Sequence, residues 1–163
     1  MHVLALALAL MAGPPPAGRC ASPAHRAFDF WAGDWDGYDV GAEDTKAARV
    51  TVEKALDGCT LYETYEGTNG LAGRSLSIYD AARGAWHQTW VTNRGQLLQV
   101  DGRMDGDALV FEGTNPGAEG RPTTIRVVFR PDKAGVRQTA RTSTDGGKTW
   151  AQLFDMVFRR RGR

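Results

Sequence analysis

Residues 85–112 read AWHQTWVTNRGQLLQVDGRMDGDALVFE, and this stretch decides the fold class. It contains three strand-like runs, 85–92, 96–104 and 108–112. The second and third runs flank Asp105-Gly106, a pair that favours a two-residue hairpin turn. Runs joined this closely predict antiparallel neighbours, because parallel strands need a much longer crossover.

The same organisation extends along the chain. Strand-like runs of five to ten residues alternate with turn signals, and no helical periodicity downstream of the N-terminus lasts beyond two turns. One short helix is predicted over 24–30, opened by Ser22 as N-cap and Pro23 as the first helical residue. The ten predicted strands are 35–40, 47–56, 60–67, 74–79, 85–92, 96–104, 108–112, 123–130, 136–142 and 150–159. The glycine and proline residues of the run 114–122 predict a loop there.

Ten strands with short links and no crossover helices predict a single all-β domain. A flat meander of this length would leave two edges and an apolar face in water, whereas closure removes the edges. We therefore predict an antiparallel up-and-down β-barrel of about ten strands, with a short N-terminal helix, over residues 20–160.

Composition narrows the functional classes. The chain has 163 residues and a formal net charge of +1, so no field of one sign is available to attract nucleic acid. Residues 161–163 end a basic cluster that we interpret as a frayed, solvated tail. The histidines and cysteines show no spacing typical of a metal site, so no metal is expected.

The N-terminus has the pattern of an export signal. Residues 3–12 read VLALALALMA, too short an apolar run to span a bilayer but typical of a secretory signal. We assign residues 1–19 as a signal peptide and predict a periplasmic or secreted protein without a transmembrane segment. In an oxidising compartment Cys20 and Cys59 are expected to pair, unless cleavage follows Ala24 and removes Cys20.

Alternation along the strands indicates which residues face inward. Trp86, Gln88 and Trp90 share one face of their strand, and Gln138 belongs to a mixed row of apolar and polar residues. Alternation on the last strand places Trp150, Gln152, Phe154, Met156 and Phe158 in one inward row. On strand 74–79 the pattern leaves open whether Leu76 and Ile78 or Ser75, Ser77 and Tyr79 point inward. Aromatic residues mixed with polar ones favour a cavity with polar groups; alternatively, these groups bond to backbone or water at the strand ends.

Two local patterns have both structural and functional interpretations. If its face is interior, Glu63 is a buried carboxylate, expected to pair with Arg137 or Arg141, and is either a structural ion pair or a site residue. Residues 143–150, STDGGKTW, match the Asp-box pattern of sialidase propellers. With one copy and no repeat, we interpret the box as a hairpin turn rather than a glycan site.

Several motifs together resemble a large group of exported bacterial proteins. They are FDFWAGDW at 28–35, GCTLYE at 58–63, GRS at 73–75, YD at 79–80, WHQTWV at 86–91 and DGGKTW at 145–150. The resemblance spans nearly the whole chain after the signal, and the family's cysteine before its FDFW opening matches Cys20. That family carries no established activity to transfer.

The resemblance implies a calycin-like barrel, in the company of lipocalins, fatty-acid-binding proteins and nitrobindin. Gly33-Asp34-Trp35 is similar to the calycin GxW signature, which gives Trp35 the role of closing one end of the barrel. The haem-binding histidine of nitrobindin has no counterpart, and alternation places His87 outward, so haem is not expected.

Three functional hypotheses follow. The first is an exported barrel that binds a small, partly apolar ligand. The second is an enzyme on the same barrel, with Glu63 as general acid or base near Tyr79 or Gln88. The third is a docking module for a protein or carbohydrate, which an exposed Leu76 and Ile78 would favour. For the first, the predicted ligand-binding residues are Trp35, Glu63, Ser75, Tyr79, Gln88, Trp90 and Gln138.

Overall fold

The computed structural model describes residues 20–117 and 120–162. The predicted signal peptide, residues 1–19, lies outside the described residues. The described chain begins with the helix α1 (Pro23–Arg26) and a 3-10 helix (Asp29–Trp31). Ten strands follow: β1 (Gly33–Asp39), β2 (Lys46–Ala55), β3 (Thr60–Gly67), β4 (Ala72–Asp80), β5 (Ala85–Thr92), β6 (Leu97–Asp105), β7 (Ala108–Pro116), β8 (Pro122–Asp132), β9 (Gly135–Ser143) and β10 (Ala151–Arg160).

Each strand pairs antiparallel with its neighbours in sequence, and β1 pairs with β10 to close the barrel. The predicted all-β, ten-stranded, calycin-like up-and-down barrel with a short N-terminal helix is confirmed. The odd-numbered strands begin at one end, which we call the closed end, and finish at the other, the open end.

The N-terminal segment fills the closed end. The predicted helix 24–30 is shorter in the structure, because the chain leaves α1 and turns into the barrel through the 3-10 helix. Phe28 and Trp31 are buried there, and Trp31 stacks on Trp35 with ring centroids 5.5 Å apart. Phe28 and Trp31 also pack against Phe129, so a cluster of aromatic rings closes this end. We call Phe28, Trp31 and Trp35 the aromatic plug.

A disulfide fastens the plug to the barrel. Cys20 and Cys59 are bonded, as predicted, with their Cα atoms 5.0 Å apart. The bond joins the chain just before α1 to the turn between β2 and β3. Asp29 adds ion pairs with Arg26 and with Lys54, both at 2.7 Å. The plug is therefore held by covalent, ionic and packing contacts together.

Pairing register decides which face of β4 points inward. Ser75 lies opposite Glu63 on β3 and opposite Trp90 on β5. Residues directly opposite each other in a sheet share a face, so Ser75 points inward together with Glu63 and Trp90. Ser77, two residues further along β4, points the same way, and both serines are buried. Leu76 and Ile78 lie on the outer surface and are 51% and 40% exposed.

A bulge in β10 reverses the face of its first residues. The register shifts between Gln152 and Phe154, so Phe154, Met156 and Phe158 point inward while Gln152 is exposed. Trp150 lies outside as well, with the Arg126 guanidinium 4.5 Å from its ring centroid. The prediction that residues 150 to 158 keep one inward row is wrong for Trp150 and Gln152, because the extra residue breaks the alternation.

The chain makes specific contacts beyond the last strand, where the sequence predicts a solvated tail over residues 161–163. The main-chain nitrogen of Arg161 donates to the Asp34 carbonyl at 3.0 Å, and its guanidinium contacts the Asp34 carboxylate at the same distance. Arg160 stacks on the ring of Trp35 at 4.3 Å. Arg161 therefore belongs to the closed end rather than to a frayed tail. None of the helices in residues 20–117 and 120–162 is long and apolar enough to cross a membrane.

Candidate functional site

The open half of the barrel contains a cavity of about 980 Å³. It extends inward from the loops at the open end, and the aromatic plug is buried in the core at the closed end. Its apolar and aromatic lining includes Ala47, Tyr65, Leu71, Trp90, Leu97, Leu98, Ile125, Val127, Leu153, Phe154 and Met156. Its polar lining includes Asp39, Glu63, Thr68, Asn69, Gln88, Arg94, Gln96, Asn115, Thr123, Gln138 and Thr142.

Trp90 supplies the largest aromatic surface of the cavity wall. Its ring lies directly against Gly73, where an added Cβ would overlap the ring atoms. Tyr65 contacts it edge to face, with the ring centroids 5.8 Å apart. Gly73 thus makes room for the indole at the wall, and Tyr65 limits its movement.

Two buried polar side chains that line the cavity, Glu63 on β3 and Gln88 on β5, are hydrogen-bonded to the buried serines of β4. Ser75 Oγ donates to Glu63 Oε2 at 2.8 Å. The amide nitrogen of Gln88 donates to Ser77 Oγ at 3.0 Å and reaches Ser75 Oγ at 3.4 Å. All four side chains are buried. We call Glu63, Ser75, Ser77 and Gln88 the polar floor.

Glu63 is the most unusual group of the floor, because it is only 6% exposed. Burial raises its pKa from 4.5 to about 7, since the ionised form loses its hydration. The hydrogen bond from Ser75 and the nearby Trp31 indole act in the opposite direction and lower the pKa. The Trp31 Nε1–H lies near the carboxylate without completing a hydrogen bond. Near neutral pH, Glu63 can therefore hold or release a proton inside the cavity.

The expected ion pair of Glu63 with Arg137 or Arg141 is wrong. Gln138 faces the cavity, so its neighbour Arg137 projects outward and pairs with Asp155 at 2.6 Å. Arg141 is exposed on the same outer face. The hydroxyl of Ser75, which register places opposite Glu63, takes the position predicted for a guanidinium.

The structure brings together most of the predicted ligand-binding residues. Glu63, Gln88, Trp90 and Gln138 line the cavity, and Ser75 lies beside Glu63. Trp35 and Tyr79 lie instead at the closed end: Trp35 stacks in the plug, and Tyr79 packs against His25 and Trp86. Gln88 is thus within the Glu63 network, whereas Tyr79 is not. Both displaced residues point inward, but at the depth that the plug occupies.

Sequence reasoning missed three residues that shape the site. Ser77 completes the floor, Trp31 lies beneath Glu63, and Asp39 lines the mouth. For Ser77 and Asp39 a signal existed, because Ser75 and Ser77 alternate on one face and Trp35, Gly37 and Asp39 on another. For Trp31 no periodicity was available, since it lies on a helical turn before the first strand.

The Asp-box residues form a turn at the open end, and the Asp145 carboxylate accepts hydrogen bonds from the residues of this turn. Asp145 accepts hydrogen bonds from the hydroxyl and main-chain N–H of Thr149, from Ser143 Oγ and from the N–H of Lys148. These bonds, led by those from Thr149, lower the pKa of its carboxyl to about 2. The carboxylate therefore stabilises the loop, in agreement with the interpretation of the Asp-box as a hairpin turn.

His87 faces the outer surface, as alternation predicts. Its Nδ1 lies 2.8 Å from Asp101 Oδ1 and its Nε2 lies 3.0 Å from Thr89 Oγ1. Arg83 engages the same Asp101 carboxylate. These contacts form a surface network outside the cavity. In the part of the chain that the structure describes, no cluster of three histidine, cysteine or acidic residues could hold a metal ion.

Comparison with known proteins assigns no family: no protein-family model matches this chain, and no curated protein matches its sequence.

Proposed function

We propose that this protein binds a small, partly apolar molecule inside the barrel. The observation that carries the proposal is the cavity of about 980 Å³, closed below by the aromatic plug and open above. Its volume lies at the upper end of the range typical of ligand sites, about 300–1,000 Å³. Apolar walls with a few convergent polar groups are also typical of such sites.

The chemistry of the lining favours an amphipathic ligand. Trp90 and Tyr65 provide aromatic area along the wall, and Leu98, Ile125 and Met156 provide aliphatic surface. The polar floor places hydrogen-bonding groups at the deep end, and other polar side chains, such as Asp39 and Arg94, line the mouth. A molecule that enters with its polar group first can bury its apolar part against the walls.

We further propose that the protein acts outside the cytoplasm, in the periplasm or as a secreted protein, and that it belongs with the calycin-like exported family it resembles. The signal-like N-terminal sequence and the Cys20–Cys59 disulfide support export, because disulfides persist in oxidising compartments. The closed barrel and the position of Trp35 in the plug support the kinship.

The binding proposal is tested by native mass spectrometry and by a fluorescent probe. Protein purified from its exported fraction under non-reducing conditions should retain a small molecule. The ligand-free protein should bind an apolar probe such as anilinonaphthalene sulfonate. Trp90→Ala should weaken probe binding about tenfold or more, because it removes the largest aromatic wall.

Trp150→Ala is the matched control, since it removes the same side chain from the outer surface. Circular dichroism first establishes that both variants fold. Equal probe affinity in the two variants, or a wild-type protein that binds no probe and carries no ligand, would refute the binding proposal.

One observation favours a second candidate, an enzyme on the same barrel. Glu63 faces the cavity with a pKa of about 7, the range in which a general acid or base is most effective. If the retained molecule changes mass when incubated with fresh wild-type protein, Glu63→Gln should bind it but leave it unchanged. Identical conversion by Glu63→Gln would eliminate this role.

A further inference from the structure

The position of Glu63 bears on the class of ligand. A carboxylate buried to this extent normally has a cationic partner, because removing it from water is costly. The groups that act on Glu63 are the neutral Ser75 and Trp31, and no cation in residues 20–117 and 120–162 contributes. Val52, opposite it on β2, is apolar. The described residues therefore supply no positively charged partner to Glu63.

Beside Glu63, the polar floor offers a further acceptor from Gln88. Gln88 uses its amide nitrogen on Ser77 and Ser75, which leaves its carbonyl oxygen as an acceptor. Ser75 directs its hydroxyl proton to Glu63. A primary ammonium carries three N–H donors and no acceptor, so it matches this arrangement.

The charges along the cavity also favour a cation. The charged residues of the described lining are Asp39, Glu63 and Arg94. Burial raises the pKa of Tyr65, and both Asp39 and Glu63 raise it further, which places two carboxylates along the wall that Tyr65 occupies. Arg94 is exposed at the mouth, where it donates to the Asn69 carbonyl at 3.3 Å and is screened by water.

We propose that the ligand is an amphipathic amine, whose apolar body fills the cavity and whose protonated amino group binds Glu63 on the polar floor. This inference rests on the proposed function, because it requires the cavity to be a binding site. The ammonium supplies the charge that Glu63 lacks, while Trp90 and the aliphatic wall bury the rest of the molecule.

The test compares three ligands with the same ten-carbon chain: n-decylamine, n-decanol and n-decanoate. Each is titrated calorimetrically into ligand-free wild-type protein, into Glu63→Gln and into Glu66→Gln. Glu66 lies on the same strand but is exposed, so its substitution removes an equal charge without touching the cavity. Gln at position 63 retains the shape of the side chain and can still accept from Ser75.

The amine should bind wild type and Glu66→Gln more tightly than the other two ligands. Glu63→Gln should weaken amine binding about 30-fold or more, as expected when one partner of a buried charge pair is removed. The affinity of n-decanol should be nearly unchanged. Near neutral pH, amine binding should also release part of a proton from Glu63, which titrations in buffers of different ionisation enthalpy measure; Glu63→Gln should release none.

The outcomes separate this inference from the proposed function. If n-decanol or n-decanoate binds wild type at least as tightly as n-decylamine, or if Glu63→Gln binds the amine as well as wild type, the amine inference is overturned and the binding barrel stands. If none of the three ligands and no apolar probe binds, the proposed function fails and the inference fails with it.

Discussion

Replacing Glu63 by Gln should make the stability of the barrel less dependent on pH. Burial raises the pKa of this carboxyl from 4.5 to about 7, so the folded protein holds the proton more tightly than the unfolded chain does. When pH rises from 4.5 to 7, the unfolded chain loses this proton first. The contribution of Glu63 to the stability of the wild type should therefore fall across that window and stay constant above it.

The size of the effect follows from the same two values. A pKa raised from 4.5 to about 7 corresponds to a penalty of about 3 kcal/mol for holding the ionised carboxylate in the folded protein. Gln has no charge to desolvate and keeps an oxygen for the Ser75 hydroxyl. The free energy of unfolding of Glu63→Gln should therefore exceed that of wild type by up to about 3 kcal/mol at pH 8, with little difference at pH 4.

Urea unfolding of ligand-free protein, followed by tryptophan fluorescence at several pH values, measures this difference. The other titrating groups are common to both proteins, so their contributions cancel when the two curves are subtracted. Glu66→Gln, on the exposed face of the same strand, should differ from wild type by a constant amount. A difference between Glu63→Gln and wild type that does not change with pH would show that the carboxyl is not desolvated, and the reasoning would be refuted.

Three other substitutions test the disulfide beside the aromatic plug, the cavity wall and the turn after β9. Replacing Cys20 and Cys59 by Ser should lower the free energy of unfolding by about 4 kcal/mol in the chain-entropy view, measured by urea unfolding; an unchanged value would contradict it. Gly73→Ala should push the Trp90 ring into the cavity and weaken n-decanol binding about tenfold, whereas unchanged affinity would show that the wall tolerates the methyl group. Asp145→Asn should lower the melting temperature by less than the disulfide loss and leave n-decanol binding intact; lost binding without lost stability would make the turn part of the site.

Much of the barrel was predictable from local signals. The strands 60–67 and 85–92 were predicted with the bounds that the structure shows, and the others agree within a few residues. The largest difference is β7, which runs on to Pro116 because residues after Glu112 pair with the start of β8. The run 114–122 was predicted as a loop from its glycine and proline content, but residues 113–116 pair with 122–125 at the start of the next strand.

Alternation could predict which side chains point into the barrel, but not how far along the barrel axis each of them lies. Alternation placed Trp90 on an inward face and left the face of Tyr79 open; both residues and Trp35 point inward. It could not separate the closed end from the open half, because depth depends on where the N-terminal segment enters. Phe28 and Trp31 fill the closed end, so Trp35 belongs to the plug and Trp90 to the cavity wall.

The environment of Glu63 shows the same division. The period of two along β3, a property of the backbone, places Glu63 on one face of the strand, and the structure shows that this face is inward. Its partner follows from register across strands: Ser75 lies opposite, while Arg137 and Arg141 are turned outward on β9. A bulge near Leu153 likewise turned Trp150 outward against the alternation. The sequence thus predicts the ten strands and, for most of them, which side chains share a face, because these depend on local geometry. It also predicts the pairing of Cys20 with Cys59, because that depends on the compartment. The cavity and its polar floor form only when the strands close around the plug. Which side chains meet there depends on the pairing register, because a shift of one residue turns every side chain of a strand to the other face.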